Sequence, residues 1–394
     1  MANGLAWGFT DLAGGRDAAR DLQWQLDQPA LELVVVFCSP EYRGSDFNAA
    51  VTEAFDGVPV IGCTTSGEVT PEGYRNNGVS AFSFAAPDFF AETAWLPAVD
   101  EIDMAAFSNR AGRCFDALNA KTRRHEGDLA VQIKSAYKSV GFVLIDGLWK
   151  REDALIGSLT GSVGTVPLFG ASAGDNLRLE ETSILVDGVF KDKGGVLALL
   201  STCRPFKVFQ HQHFVASDVK MVVTDADPEQ RIVREINAEV AVEEYARLAG
   251  LDVDNLTPMD FATRPLLVRL GGSEFVRSIQ KANPDGSLSF YCAVDQGLVL
   301  TLAESGDLIG SLEQLFADIE GEMGEPEAVL AFDCVLRRLE LEHKQQLQRV
   351  PPLFSKNRVT GFSTFGEQYA STHINQTLTG LAIGRRDADQ GRSP

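Results

Sequence analysis

Near its C-terminal end the chain carries GFSTFGEQYASTHINQTLTG (361–380), which gathers Glu367, Tyr369, His373, Asn375 and Thr377 with several further hydroxyls. An imidazole among carboxamides and a carboxylate can ligate a metal, move a proton or bind a polar ligand. If 373–384 is one strand, alternation puts His373, Asn375, Thr377 and Thr379 on one face. A second imidazole pair lies in VFQHQHF, where His211 and His213 alternate with Gln210 and Gln212. That spacing puts both rings on one face of a strand, extended by Phe209 and Val215. The plain alternatives are an edge strand with two incidental imidazoles and a His373 that merely bonds its neighbouring loop. The other two of the five histidines, His125 in KTRRH and His343 in RRLELEHKQQ, sit among charges and are read as solvated.

The six cysteines, Cys38, Cys63, Cys114, Cys203, Cys292 and Cys334, are scattered singly. Without a C-x-x-C pair or zinc-type spacing they read as buried free thiols, and without C-x-x-C-H covalent haem attachment is excluded. Cys63 stands at a strand-to-loop junction, so a Cys-dependent hydrolase is one reading. Neither GCTTSG nor GASAGD centres a nucleophile as the G-x-S-x-G elbow does, and the expectation is a protein that is not an enzyme. GASAGDN is not a phosphate-binding loop of the G-x-x-x-x-G-K-[ST] kind either.

The elements that must position these residues repeat. LELVVVFCS, a helix near 44–56 and VPVIGCTTSGE form a strand–helix–strand unit with a Gly-rich ending. GFVLIDG, a helix near 151–161 and VPLFGASAGDN restate it, and AVLAFDCV, a helix over LRRLELEHKQQLQRV and VTGFSTFGEQ give a third relative. A further strand follows each loop: GVSAFSF, GGVLALL and HINQTLTGLAIG. Gly67, Gly174 and Gly366 suit tight backbone geometry, and the adjoining acids suit capping of amides. The functional reading brings the loops to one pocket, where Thr64, Thr65, Ser66, Ser172, Asp175, Asn176 and Glu367 face a ligand together with Asn375 and Thr377. Between the halves come strands, a helix ending at Gly250, and hairpins with an Asn-Pro-Asp-Gly turn at 283–286. The fold class is therefore α/β, two domains of repeated strand–helix–strand units on mixed sheets, the C-terminal half richer in antiparallel strands. The expected division is 1–217 and 218–385, with a flexible tail at 386–394.

IGCTTSGE, LFGASAGDN, FDCV and GFSTFGEQ followed by NQT, in that order over roughly residues 25–385, resemble the FIST sensory family, which pairs a FIST N domain (here 1–217) with a FIST C domain (218–385). The resemblance implies an intracellular module that binds a small molecule, amino-acid-like in the family's proposals. RPFKVFQHQHF, the run VVTDADPEQRIVREINAEVAVEEYARLAG and GFSTFGEQYASTHINQT resemble the haem-dependent, nitric-oxide-sensing members called NosP. That likeness implies a b-type haem, with His373, His213 or His211 as the axial ligand to iron. It also implies output through a separate histidine kinase or cyclic-di-GMP enzyme, since no kinase, GGDEF or EAL segment occurs here. A haem-free sensor of a small polar molecule such as an amino acid is the alternative.

A formal charge of −20, from 35 Lys and Arg against 55 Asp and Glu, repels phosphate backbones, so nucleic acid is not expected as a partner. No basic-then-apolar leader or membrane-length run occurs, so a cytoplasmic location and no membrane partner are expected. A homo-oligomer is left open.

Overall fold

The computed structural model describes residues 4–44, 46–98, 104–129, 137–270 and 272–386. The expected tail lies outside the described residues from 387 onward. Three of the four sheets follow one plan, each built on a parallel pair. The pairs are Leu31–Cys38 with Val60–Thr64, Lys138–Ile145 with Leu168–Ser172, and Pro326–Cys334 with Val359–Thr364. The strand following each loop, Val79–Ala85, Gly194–Thr202 or Leu378–Gly384, returns antiparallel beside the first member of its pair. Outer strands Leu5–Thr10, Phe89–Pro97 and Phe206–His211 complete that side.

The other side of each sheet is completed by a different copy. The hairpin Glu68–Thr70 and Gly73–Arg75 of the first copy joins the third sheet. Ile184–Val186 with Val189–Lys191 of the second joins the first sheet, and Gly366–Tyr369 with Thr372–Ile374 of the third joins the second. The exchange is cyclic, so the three copies form a pseudo-threefold ring.

Strand composition follows from this arrangement. In LELVVVFC, Leu33, Val35 and Phe37 face the core shared by the three sheets, while Val34, Val36 and Cys38 face the helices outside. Both faces are buried, which is why the run is continuously apolar rather than alternating. Phe332 lies at the centre of the shared core. Its ring centroid is 5.7 Å from Phe37, 6.2 Å from Phe142, 5.3 Å from Phe169 and 5.3 Å from Phe362, rings of all three copies.

A fourth, antiparallel sheet, formed within residues 214–305, is inserted into the third copy with its own core. Its helix Ala241–Ala249 ends at Gly250 with φ 66°, and the turn at 283–286 joins Ile279–Ala282 to Leu288–Phe290, both as expected. The division expected at 217/218 falls inside the strand Phe214–Asp227. All six cysteines are free thiols, five buried and Cys203 half-buried. Among the described residues no helix is long and apolar enough to cross a membrane.

Two expectations are corrected. HINQTLTGLAIG is not one strand, because Thr372–Ile374 and Leu378–Gly384 belong to different sheets. Gln376, in left-handed geometry at φ 52°, turns the chain between them, so His373, Asn375, Thr377 and Thr379 do not share a strand face. The helix expected over 336–350 is split into Val335–His343 and Val350–Asn357, with Gln345 at φ 55° in the break.

Gly62, Gly170 and Gly361 occupy equivalent positions where a hairpin strand joins each sheet. A Cβ there would lie 1.9 Å from Val36 O, 2.5 Å from Val143 O and 1.7 Å from Ala331 O, respectively. Backbone cannot yield as a side-chain tip does. Gly361→Ala is therefore expected to destabilise by about 3 kcal/mol or more, measured by denaturant unfolding. An unchanged midpoint would contradict this close approach.

Candidate functional site

The three loops do converge, and they bond directly to each other. Ser66 N donates to Ser363 O at 2.9 Å and Ser363 N to Gly67 O at 2.8 Å. Gly174 N donates to Thr64 O at 2.9 Å, and Phe365 N to Ser172 O at 3.2 Å, which closes the ring. Most of the candidate side chains serve these loops. Thr64 Oγ1 accepts from Ser183 N at 3.0 Å, and Thr65 donates to Glu68 at 2.8 Å. Asp175 accepts from the amides of Leu179, Glu180 and Glu181. Glu367 accepts from Thr364 and, at 2.7 Å, from the Thr377 hydroxyl. Ser66 and Asn176 line a surface cleft above the ring.

The exchanged hairpins create three equivalent junctions between copies. Register makes Tyr74, Phe190 and His373 counterparts, lying opposite Val69, Leu185 and Gln368. The first is closed by chemistry: Tyr74 donates to Asp333, which also accepts from Arg337 Nε at 2.7 Å. Phe190 lines an open cleft of about 550 Å³ with Pro40, Arg43 and Asn48. The third junction is polar, enclosed and incompletely paired.

His373 is 1 % exposed, and Asn375 and Gln368 are fully buried. The inserted sheet covers them: Arg277 Nη1 donates to His373 O at 3.1 Å, Ser278 donates to Gln376 at 2.7 Å, and Arg231 donates to Glu152. Gln368 Nε2 donates to Ser172 Oγ and to His373 Nδ1, each at 3.0 Å. An amide nitrogen only donates, so Nδ1 is the acceptor and the ring proton sits on Nε2. Among the described residues that Nε2–H has no protein acceptor, the Glu152 carboxylate being 4.0 Å away. Both amide atoms of Asn375, Gln368 Oε1 and Arg277 Nε are also buried without a protein partner among the described residues. Gly366 provides the space, since a Cβ there would lie 2.9 Å from His373 Nε2 and 3.0 Å from Asn375 Nδ2. Burial pushes the His373 pKa down, against the opposing pull of Glu152, so the ring is neutral. Each buried polar group left without an ordered water or other partner costs about 1–3 kcal/mol.

His213 lies elsewhere, in the link between Phe206–His211 and Phe214–Asp227. Its Nε2 is 2.9 Å from Glu340 Oε2 and its Nδ1 is 3.3 Å from Arg337 Nη1, so both ring nitrogens are engaged. Burial would raise the Glu340 pKa, but hydrogen bonds from His213, Lys344 and Ser305 outweigh it and hold the carboxyl at about 2. Among the described residues neither ring nitrogen of His211 has a close hydrogen-bond partner, although the Ser311 backbone lies near enough to pull its pKa up; burial with the nearby Arg337 charge outweighs that pull and sets it at about 3. His125, read as solvated, instead packs against Phe90 with ring centroids 4.7 Å apart, while His343 is exposed as expected. Cys63 faces the shared core, and burial pushes its thiol well above its ordinary pKa, away from the thiolate a nucleophile needs.

An axial haem ligand offers a nitrogen lone pair beside a wide apolar slot. His373 presents a proton at Nε2 among amides and charges, and His213 has no free nitrogen. None of the three surface clefts described here, about 1180, 550 and 340 Å³, has a histidine in its wall. As arranged, His373 and His213 do not fit a haem. Among the described residues no group of three or more His, Cys, Asp or Glu could hold a metal ion.

The FIST N domain model matches residues 32–239 and the FIST C domain model residues 241–370. The chain belongs to the FIST family. FIST domains are sensory domains of signal transduction. No curated protein matches the chain. A solved chorismatase structure aligns over 97 % of this chain and 99 % of its own at 8 % identity and a TM-score of 0.33, too loose a likeness to bear on fold or function.

Gln368 belongs to the loop motif legible in the sequence, whereas Arg277, Glu152 and Arg231 reach the junction from distant segments without any local signal. The capping acids carry a pH signature. Burial raises Glu68 to about 7 and Glu367 to about 8, outweighing their hydroxyl and amide donors. The folded state therefore holds protons that the unfolded chain releases near pH 4.5, so stability should fall as pH rises from about 4.5 to about 8. Glu367→Gln should flatten part of that slope in melting temperatures measured across this range. An unaltered slope would mean that Glu367 is ionised in the fold.

Proposed function

We propose that this FIST protein is a signal-transduction sensor for a small polar molecule bearing an acceptor group, such as the carboxylate of an amino acid, held at the His373 junction. The observation that carries this reading is the set of buried, unpartnered donors: His373 Nε2–H, the Asn375 amide and Arg277 Nε–H. An acceptor-bearing ligand satisfies them at once, where an apolar one would leave each unpaired. The site lies between a core hairpin and the inserted sheet, so a ligand that binds one seating of that sheet better than another shifts the balance between them. Output then passes to a separate protein, in keeping with the histidine kinase or cyclic-di-GMP enzyme that the NosP likeness implies.

A thermal-shift screen of amino acids tests the reading by mass action. Selective binding at a hundred times Kd stabilises by about 2.7 kcal/mol, and Asn375→Ala should abolish the shift. Flat melting temperatures throughout would overturn it.

A b-type haem sensor of nitric oxide is the second reading, supported by His211, whose ring nitrogens are at most weakly engaged by the Ser311 backbone. It requires a Soret band after haem addition that moves with nitric oxide and is lost in His211→Ala. No Soret band would remove it.

A further inference from the structure

We infer that a second site binds a small oxyanion, a carboxylate or phosphate group, in the surface cleft above the loop ring. The cleft, about 340 Å³, draws on all three copies: Glu41 and Ser66 from the first, Asn176 and Arg178 from the second, Arg338 and Glu342 from the third. It shares no residue with the His373 junction and does not depend on that reading.

Arg338 is a cation in the cleft wall. Its guanidinium carbon lies 5.6 Å from the Tyr74 ring centroid, Nη1 donates to Arg75 O at 3.4 Å, and Nε donates to Glu342 at 3.0 Å. It lies across Gly67, where φ is +114° and a Cβ would sit 2.3 Å from Nη1, so the loop glycine clears the space the guanidinium occupies. Nη2 is left without a protein acceptor among the described residues. An arginine stacked on an aromatic face, with its planar fork fixed on several sides, presents its remaining N–H groups in the geometry that carboxylate and phosphate oxygens match.

Further donors belong to the same cleft. Ser66 is 5 % exposed and its hydroxyl has no partner. Asn176, held at φ 58°, spends its amide only on long 3.4 Å contacts to Ser39 and Glu41. Arg178 is occupied by Glu41 at 2.6 Å. Arg338 is 12 % exposed and the Glu342 carboxylate 39 %, so the pair opens to solvent on its carboxylate side, where a competing anion can enter. An oxyanion that reaches both Nε and Nη2 displaces the carboxylate.

Titration of the full chain with inorganic phosphate and, separately, with acetate, followed by NMR, tests this site and tells the two oxyanions apart. At least one should bind the wild type in the millimolar range, and Arg338→Gln should weaken it roughly tenfold or more. Glu342→Gln should tighten it by removing the competitor, and Asn375→Ala should leave it unchanged. If Arg338→Gln fails to fold, Arg338→Lys, which keeps the charge without the fork, should still weaken binding. Binding of neither anion, equal affinity in the arginine variants, or weaker binding in Glu342→Gln would overturn the inference.

Discussion

Each core sheet of this protein is finished by a hairpin that another copy supplies, and everything else depends on that exchange. Val69, Leu185 and Gln368 lie across from Gly361, Gly62 and Gly170, where a side chain would strike neighbouring backbone. No copy can complete its own sheet, so the three must order together around Phe332. The bonded loop ring and the junctions between copies are consequences of this cyclic pairing rather than separate inventions.

Pseudo-symmetry makes departures from it informative. One hairpin position is Tyr74, closed onto Asp333; one is Phe190, on an open cleft; the third is His373, enclosed and incompletely paired. Only the third copy carries the inserted sheet, and that sheet covers the junction that His373 occupies. A repeat built for stability would pair its polar groups or replace them with apolar ones. A neutral imidazole, a carboxamide and a guanidinium without protein partners are destabilising unless water or a ligand satisfies them, and that need is what the proposed ligand site answers.

Much of this organisation was legible in the residues. The three-copy repeat, the glycines of the loops and the acids as amide caps follow from VPVIGCTTSGE, VPLFGASAGD and GFSTFGE, because local backbone demands are written locally. The cyclic exchange was not legible, since a hairpin's partner is decided by long-range packing. Alternation misled at Asn375–Thr377, because a left-handed Gln376 ends the period without glycine or proline to announce it. His373 stood out by type, but Arg277 and Glu152 could not, because only the fold brings the insert and the second copy against it.

The most direct measurement is electron density at the His373 junction in crystals of protein purified without denaturation. A binding junction predicts non-protein density, an ordered solute or the waters standing in for it, in contact with His373 Nε2 and the Asn375 amide. A close-packed junction in which His373, Asn375 and Arg277 bond only to neighbouring protein atoms would contradict it.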